Sequence, residues 1–123
     1  MKLLITGVSH KTAPVEVRER LAFRPENLPA ALADLKAREG VSEAVILSTC
    51  NRVEVALTCE ENSKTAAVAV DEFLADTRHV QREWVTPYLY HFEDSDAIRH
   101  LFRVAASLDS MVVGEPQILG QLK

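Results

Sequence analysis

A cysteine becomes a strong nucleophile once it is a thiolate, and this sequence holds two, Cys50 and Cys59, in different settings. Cys50 lies in Ser48-Thr49-Cys50-Asn51-Arg52, a polar break between two apolar runs, where side chains point outward. Asn51 tolerates the left-handed backbone that tight turns often need. Arg52 puts a cation two residues away, which favours thiolate over thiol. Cys59 instead alternates with Val53, Val55 and Leu57 and reads as a small core residue, protonated and inert. The two do not make a disulfide framework. Four histidines accompany them without the spacing of a structural zinc site, so no metal is expected.

His100 falls in a stretch whose apolar residues, Ile98, Leu101, Phe102, Ala105 and Leu108, recur at helical spacing. At about 100° per residue it points roughly 140° from the centre of that stripe, on a face shared with Arg103 and Ser107. Either it is a surface residue, or that face closes over a site. His10, at the end of the first apolar run, poses the same choice.

The elements that would position these groups are legible. Leu3 to His10 reads as a strand, Pro14 opens a helical stretch, and Pro25 restarts it with Leu28, Ala31, Leu32 and Leu35 on one face until Gly40. Ala44 to Leu47 is a short buried strand. The alternation from Val53 to Cys59 is a half-buried one, with Glu54, Ala56 and Thr58 on its other face, and the two pair as a hairpin. Ser63 caps a helix carrying Ala66, Ala67, Val70, Phe73 and Leu74, and the polar run Gln81-Arg82-Glu83 leads to Pro87. An aromatic strand over Tyr88 to Phe92 precedes a last helix capped by Asp94. The order is β-α-β-β-α-β with an extra helix, which gives an α+β, ferredoxin-like antiparallel sheet with helices on one face and an added C-terminal helix before a tail.

In that order the first and second strands run the same way, so Ser9-His10-Lys11 and Cys50 share one edge of the sheet. The last helix leaves from the opposite edge and runs back toward the thiol, delivering Asp109-Ser110 and the tail there. Three polar segments thus converge on Cys50, which favours a reactive cysteine over an incidental one.

Bulk composition narrows the class. The chain has 123 residues, 47% hydrophobic and 26% charged, with a formal charge of −4. That suits one globular domain and argues against a broad nucleic-acid-gripping surface, which needs a basic stripe. The clusters Arg18/Arg20/Arg24 and Arg99/His100/Arg103 read as solvated helix faces. Neither a signal peptide nor a membrane span is present in the pattern, so a cytoplasmic location, with thiols kept reduced, is expected.

Four blocks in order, Gly7-Val8-Ser9-His10-Lys11-Thr12-Ala13-Pro14, Leu47 to Arg52, His100 to Ala105, and Leu108 to Gln121 with its Gly114-Glu115-Pro116-Gln117, resemble the glutamyl-tRNA reductase family. Val53-Glu54-Val55-Ala56 departs from the Thr-Glu-(Ile/Leu)-Tyr usual after the arginine there. The resemblance implies NADPH-dependent reduction of glutamyl-tRNA to glutamate-1-semialdehyde, in porphyrin (tetrapyrrole) biosynthesis. Cys50 would take the glutamyl group as a thioester, and hydride transfer would give a thiohemiacetal that collapses to the aldehyde.

By the same resemblance Cys50 and His100 are catalytic. Thr49, Cys50, Asn51, Arg52, Ser110, Glu115, Pro116, Gln117 and Gln121 bind substrate. Arg52 clamps the glutamyl carboxylate or lowers the thiol pKa, and His100 acts as acid, base or orienting group. The implied layout is a catalytic domain over 1–108, then 109–123 as a substrate-site segment and the start of a linker. NADPH would be held by a domain absent from this chain, since Gly7, Gly40, Gly114 and Gly120 form no phosphate loop. Implied partners are glutamyl-tRNA, a second copy joined through a missing C-terminal domain, and a downstream aminomutase. Two rivals stand beside this reading: a non-enzymatic ferredoxin-like RNA-binding module, and an unrelated thiol enzyme such as a redox sensor.

Overall fold

The computed structural model describes residues 1–60 and 64–111, the side chains of 107–111 excepted. Its elements are β1 (Lys2–Ser9), α1 (Val15–Leu21), α2 (Leu28–Ala37), β2 (Glu43–Ser48), β3 (Arg52–Cys59), α3 (Lys64–Arg78), α4 (Arg82–Val85), β4 (Tyr90–Glu93) and α5 (Asp94–Met111). The four strands form one antiparallel sheet in the order β2-β3-β1-β4. This is the expected α+β arrangement, with β1 and β2 running the same way on either side of β3.

Strand alternation divides the sheet into two unlike faces. Leu4, Val8, Ile46, Val53, Val55, Leu57 and Cys59 point to the larger core, where they meet Val17 and Leu21 of α1, Leu35 of α2, and Val70, Phe73 and Leu74 of α3. Phe23 and Phe73 stack inside it with ring centroids 5.9 Å apart. The opposite face carries Ile5, Gly7, Glu54 and Ala56, and α5 lies across it.

Three local expectations change, and a fourth lies outside the described residues. The polar run at 81–83 is not a plain connector: it folds into α4, whose Val85 is fully buried in the core. Pro87 sits in a 3-10 turn over Thr86–Tyr88, so β4 begins at Tyr90 rather than Tyr88. Asp94 opens α5, but its Oδ1 accepts from the Leu3 amide at 3.1 Å and ties the helix start to β1. The proposed cap Ser63 lies outside the described residues.

A further correction concerns how α5 is turned. The apolar stripe was expected to face inward; instead Ile98 is 50% and Phe102 73% exposed, while Ala97 is wholly buried and Val104 nearly so. Two things set this rotation. Small Ala97 lets the helix approach the sheet closely, and a polar residue there, Glu54, needs a polar partner from above. His100, at i+3 from Ala97 and i−4 from Val104, supplies it.

Candidate functional site

The hairpin between β2 and β3 is built by Thr49. Its Oγ1 accepts from the amides of Asn51 and Arg52, each at 3.2 Å, and its own amide donates to the Arg52 carbonyl at 2.8 Å. The hydroxyl thus satisfies turn amides that a backbone carbonyl would otherwise serve. Among the described residues only His79 and Asp94 are non-glycines with positive φ, so Asn51 is not the left-handed residue anticipated for this turn. Cys50 is left exposed at the tip.

Two neighbouring segments fasten the turn. The His10 amide donates to the Asn51 carbonyl at 2.9 Å, which puts the end of β1 against the hairpin as topology required. The Arg18 guanidinium donates through NH1 to the Cys50 carbonyl at 2.7 Å and through Nε to the Ala13 carbonyl at 3.2 Å. Arg18 is therefore no simple surface residue, because it locks the tip to the start of α1. Beneath the turn, the buried Ser48 Oγ accepts from the Phe23 amide at 2.9 Å.

One strand position inward lies a polar group that the sequence did not single out. Glu54 is only 4% exposed. Its Oε1 faces the Arg52 guanidinium at 3.6 Å, and its Oε2 accepts from the Tyr90 hydroxyl at 2.5 Å and pairs with Nε2 of His100. Gly7 makes this possible. It pairs with Glu54 on one side and Tyr90 on the other, and a Cβ there would sit 2.5 Å from the Val53 carbonyl oxygen and 2.8 Å from Cγ of Glu54. Only glycine leaves the carboxylate room to lie flat over β1. The signal was present, an acidic residue two after Arg52 on one strand face with a glycine at the cross-strand position, but it needs the register to be seen.

Around this carboxylate, burial first and the charge of Glu54 second push the Tyr90 hydroxyl well above the ordinary phenol range, so it remains a donor. The Phe92 ring stacks on the His100 imidazole with centroids 4.5 Å apart and planes at 24°. Cys59 is buried as expected; its Sγ lies 3.7 Å from the Lys2 carbonyl oxygen and burial raises its thiol pKa. Beside the cluster, Leu3, Ile5, Val45, Ala56, Leu101 and Val104 line an apolar groove of about 350 Å³.

Of the residues singled out from the sequence, Thr49, Cys50, Asn51 and Arg52 are contiguous at the hairpin, and His100 joins Arg52 through Glu54. Ser110 belongs to α5 without a described side chain, while Glu115, Pro116, Gln117 and Gln121 lie outside the described residues. Among the described residues no group of three or more His, Cys, Asp and Glu could hold a metal ion, and no helix is long and apolar enough to cross a membrane.

Comparison with known proteins agrees with this architecture. A family model described as the N-terminal domain of glutamyl-tRNAGlu reductase matches residues 6–123. Across all 123 residues the chain is 72% identical to a glutamyl-tRNA reductase of Solibacter usitatus and 52% identical to one of Pelobacter propionicus, spanning 29% and 28% of their lengths. A solved glutamyl-tRNA reductase from Methanopyrus kandleri superposes with a TM-score of 0.61 at 32% identity, over 97% of this chain and 26% of that one.

Proposed function

Because the chain belongs to the glutamyl-tRNA reductase N-terminal domain family, we propose that it is the acyl-accepting part of such an enzyme, with Cys50 as nucleophile. The observation that carries this reading is an exposed thiol at a turn whose backbone is tied down from three sides, close in the chain to a half-buried Arg52–Glu54–His100 array.

In the proposed step the Cys50 thiolate attacks the ester carbonyl of glutamyl-tRNA. A carbon–sulfur bond forms, the carbon–oxygen bond to the 3′-terminal ribose breaks, and that oxygen takes up a proton as the tRNA leaves. A fixed turn holds the sulfur in attack geometry without the ordering cost of a mobile loop. Arg52 has five N–H donors and turns one edge to Glu54, which leaves others for the glutamyl carboxylate. His100 serves the proton movements or orients the ester. Thr49 and Asn51 complete the hairpin side of the substrate site, and residues 109–123, with Ser110, Glu115, Pro116, Gln117 and Gln121, supply the other side.

The described residues do not fit a nicotinamide cofactor. Among the described residues Gly7 is spent inside β1 and Gly40 in the α2–β2 connection, and neither forms a phosphate-cradling turn at a helix N-terminus. The chain spans less than a third of the relatives' lengths, so NADPH binding, reduction to the semialdehyde, pairing with a second copy and hand-over to an aminomutase are assigned to the longer protein, in the cytoplasm. Mass spectrometry after incubation with glutamyl-tRNA tests the core of the proposal. A glutamyl adduct on Cys50, absent from Cys50→Ser, is the expected result. No adduct on the folded protein, or one on Cys59, overturns it.

A further inference from the structure

Glu54 touches Arg52, Tyr90 and His100 on the sheet face that α5 crosses. Its four carboxylate lone-pair sites are met by a guanidinium on one oxygen and by two groups on the other. Tyr90 can only donate to it, and a carboxylate beside a guanidinium has no proton of its own to give. The contact to His100 must then be a donation from Nε2–H. The ring cannot easily turn over to exchange its nitrogens, because Phe92 stacks on one side and the Tyr90 ring approaches within 5.3 Å between centroids.

From this we infer that Glu54 is a positioning residue for His100: it keeps the proton on Nε2, so that Nδ1 is the nitrogen that gains and loses protons. Glu54 does not touch substrate. It acts through His100, as an orienting carboxylate acts on an imidazole, and Tyr90 holds the carboxylate in place. Gly7 is the backbone device that admits it. The inference concerns His100 whatever the substrate, and its catalytic consequence rests on the acyl-transfer reading above.

Two measurements separate these levels. In proton–nitrogen NMR of the 123-residue protein, with His100 assigned from His100→Gln, the Nε2 proton should survive exchange with water as a downfield resonance, and Nδ1 should be pyridine-like at high pH. Glu54→Gln should move that proton upfield or lose it to exchange while the amide spectrum stays folded; Tyr90→Phe should keep it. A ring proton on Nδ1, or an Nε2 proton indifferent to Glu54→Gln, overturns the inference. In the full-length enzyme, His100→Gln should slow Cys50 acylation by about 10²-fold or more. The double variant with Glu54→Gln should be no slower than His100→Gln alone, because a residue acting through another adds nothing once that one is gone. Additive losses overturn the positioning role. An unacylated Cys50 in the wild type would sink the acyl-transfer reading and leave the ring-proton result standing.

Discussion

At the scale of single residues, the two cysteines show how position decides chemistry. Cys50 is exposed at a turn and Cys59 is packed with a raised thiol pKa, so iodoacetamide at neutral pH should label the first and spare the second in the folded protein. Equal labelling rates, read by peptide mass spectrometry, would contradict this. The hydroxyl of Thr49 carries two turn amides, and Thr49→Val should cost about 1–3 kcal/mol by leaving them unserved. Denaturant unfolding measures that cost; a loss below a few tenths would mean that water replaces the hydroxyl freely. The cysteine assignments were legible from alternation and turn composition. Glu54 was not, because a strand acid opposite alternating apolar residues normally marks the wet face. What makes it buried is a helix arriving 46 residues later in sequence.

At the scale of elements, hydrophobic periodicity gave the strands and most helices because each buries one face in a common core. It misled for α5, where the widest apolar stripe is outside. A helix on a sheet is turned by what the sheet presents, and here the sheet presents a carboxylate and a glycine. The register between β1 and β3 therefore matters as much as either strand. Gly7→Ala should force Glu54 or the β3 backbone to shift, at a cost of about 1–3 kcal/mol as for other overpacked sites. It should also displace His100. Thermal unfolding checks the first effect and the His100 ring-proton resonance the second; an unchanged resonance would mean that Glu54 does not depend on the space at Gly7.

For the whole molecule, charge and pH enter. Asp71 of α3 has a buried Oδ1 without a hydrogen-bond partner, and burial raises its pKa above the usual carboxylate range, His91 and Arg82 partly opposing. A carboxyl raised in the folded state favours folding when protonated and opposes it once ionised. Asp71→Asn should therefore raise the thermal midpoint at pH 7, and the gain should vanish as pH falls through the raised pKa to the ordinary carboxylate range. A gain that grew on acidification would refute the sign. With a net charge of −4, the chain should bind tRNA weakly by itself. If it acylates, it should release glutamate from glutamyl-tRNA slowly by hydrolysis of the thioester, and radiolabelled glutamate should yield no aldehyde with added NADPH. Aldehyde formation would place a nicotinamide site inside these 123 residues. The rival RNA-binding reading finds less support in the fold, since α1–α3 cover one sheet face and α5 crosses the other, where the Tyr90 hydroxyl is already bonded.

The position of α5 also sets an order in time. Glu54 leaves the ribosome 46 residues before His100, which at 5–20 residues per second is roughly 2 to 9 s. For most of that interval, until Glu93 completes β4, β1 lacks its outer neighbour, so the growing chain shows an unpaired strand edge of the kind that recruits other chains. A ribosome stalled between the hairpin and β4 would therefore present a thiol on a half-closed sheet, with its carboxylate still in water.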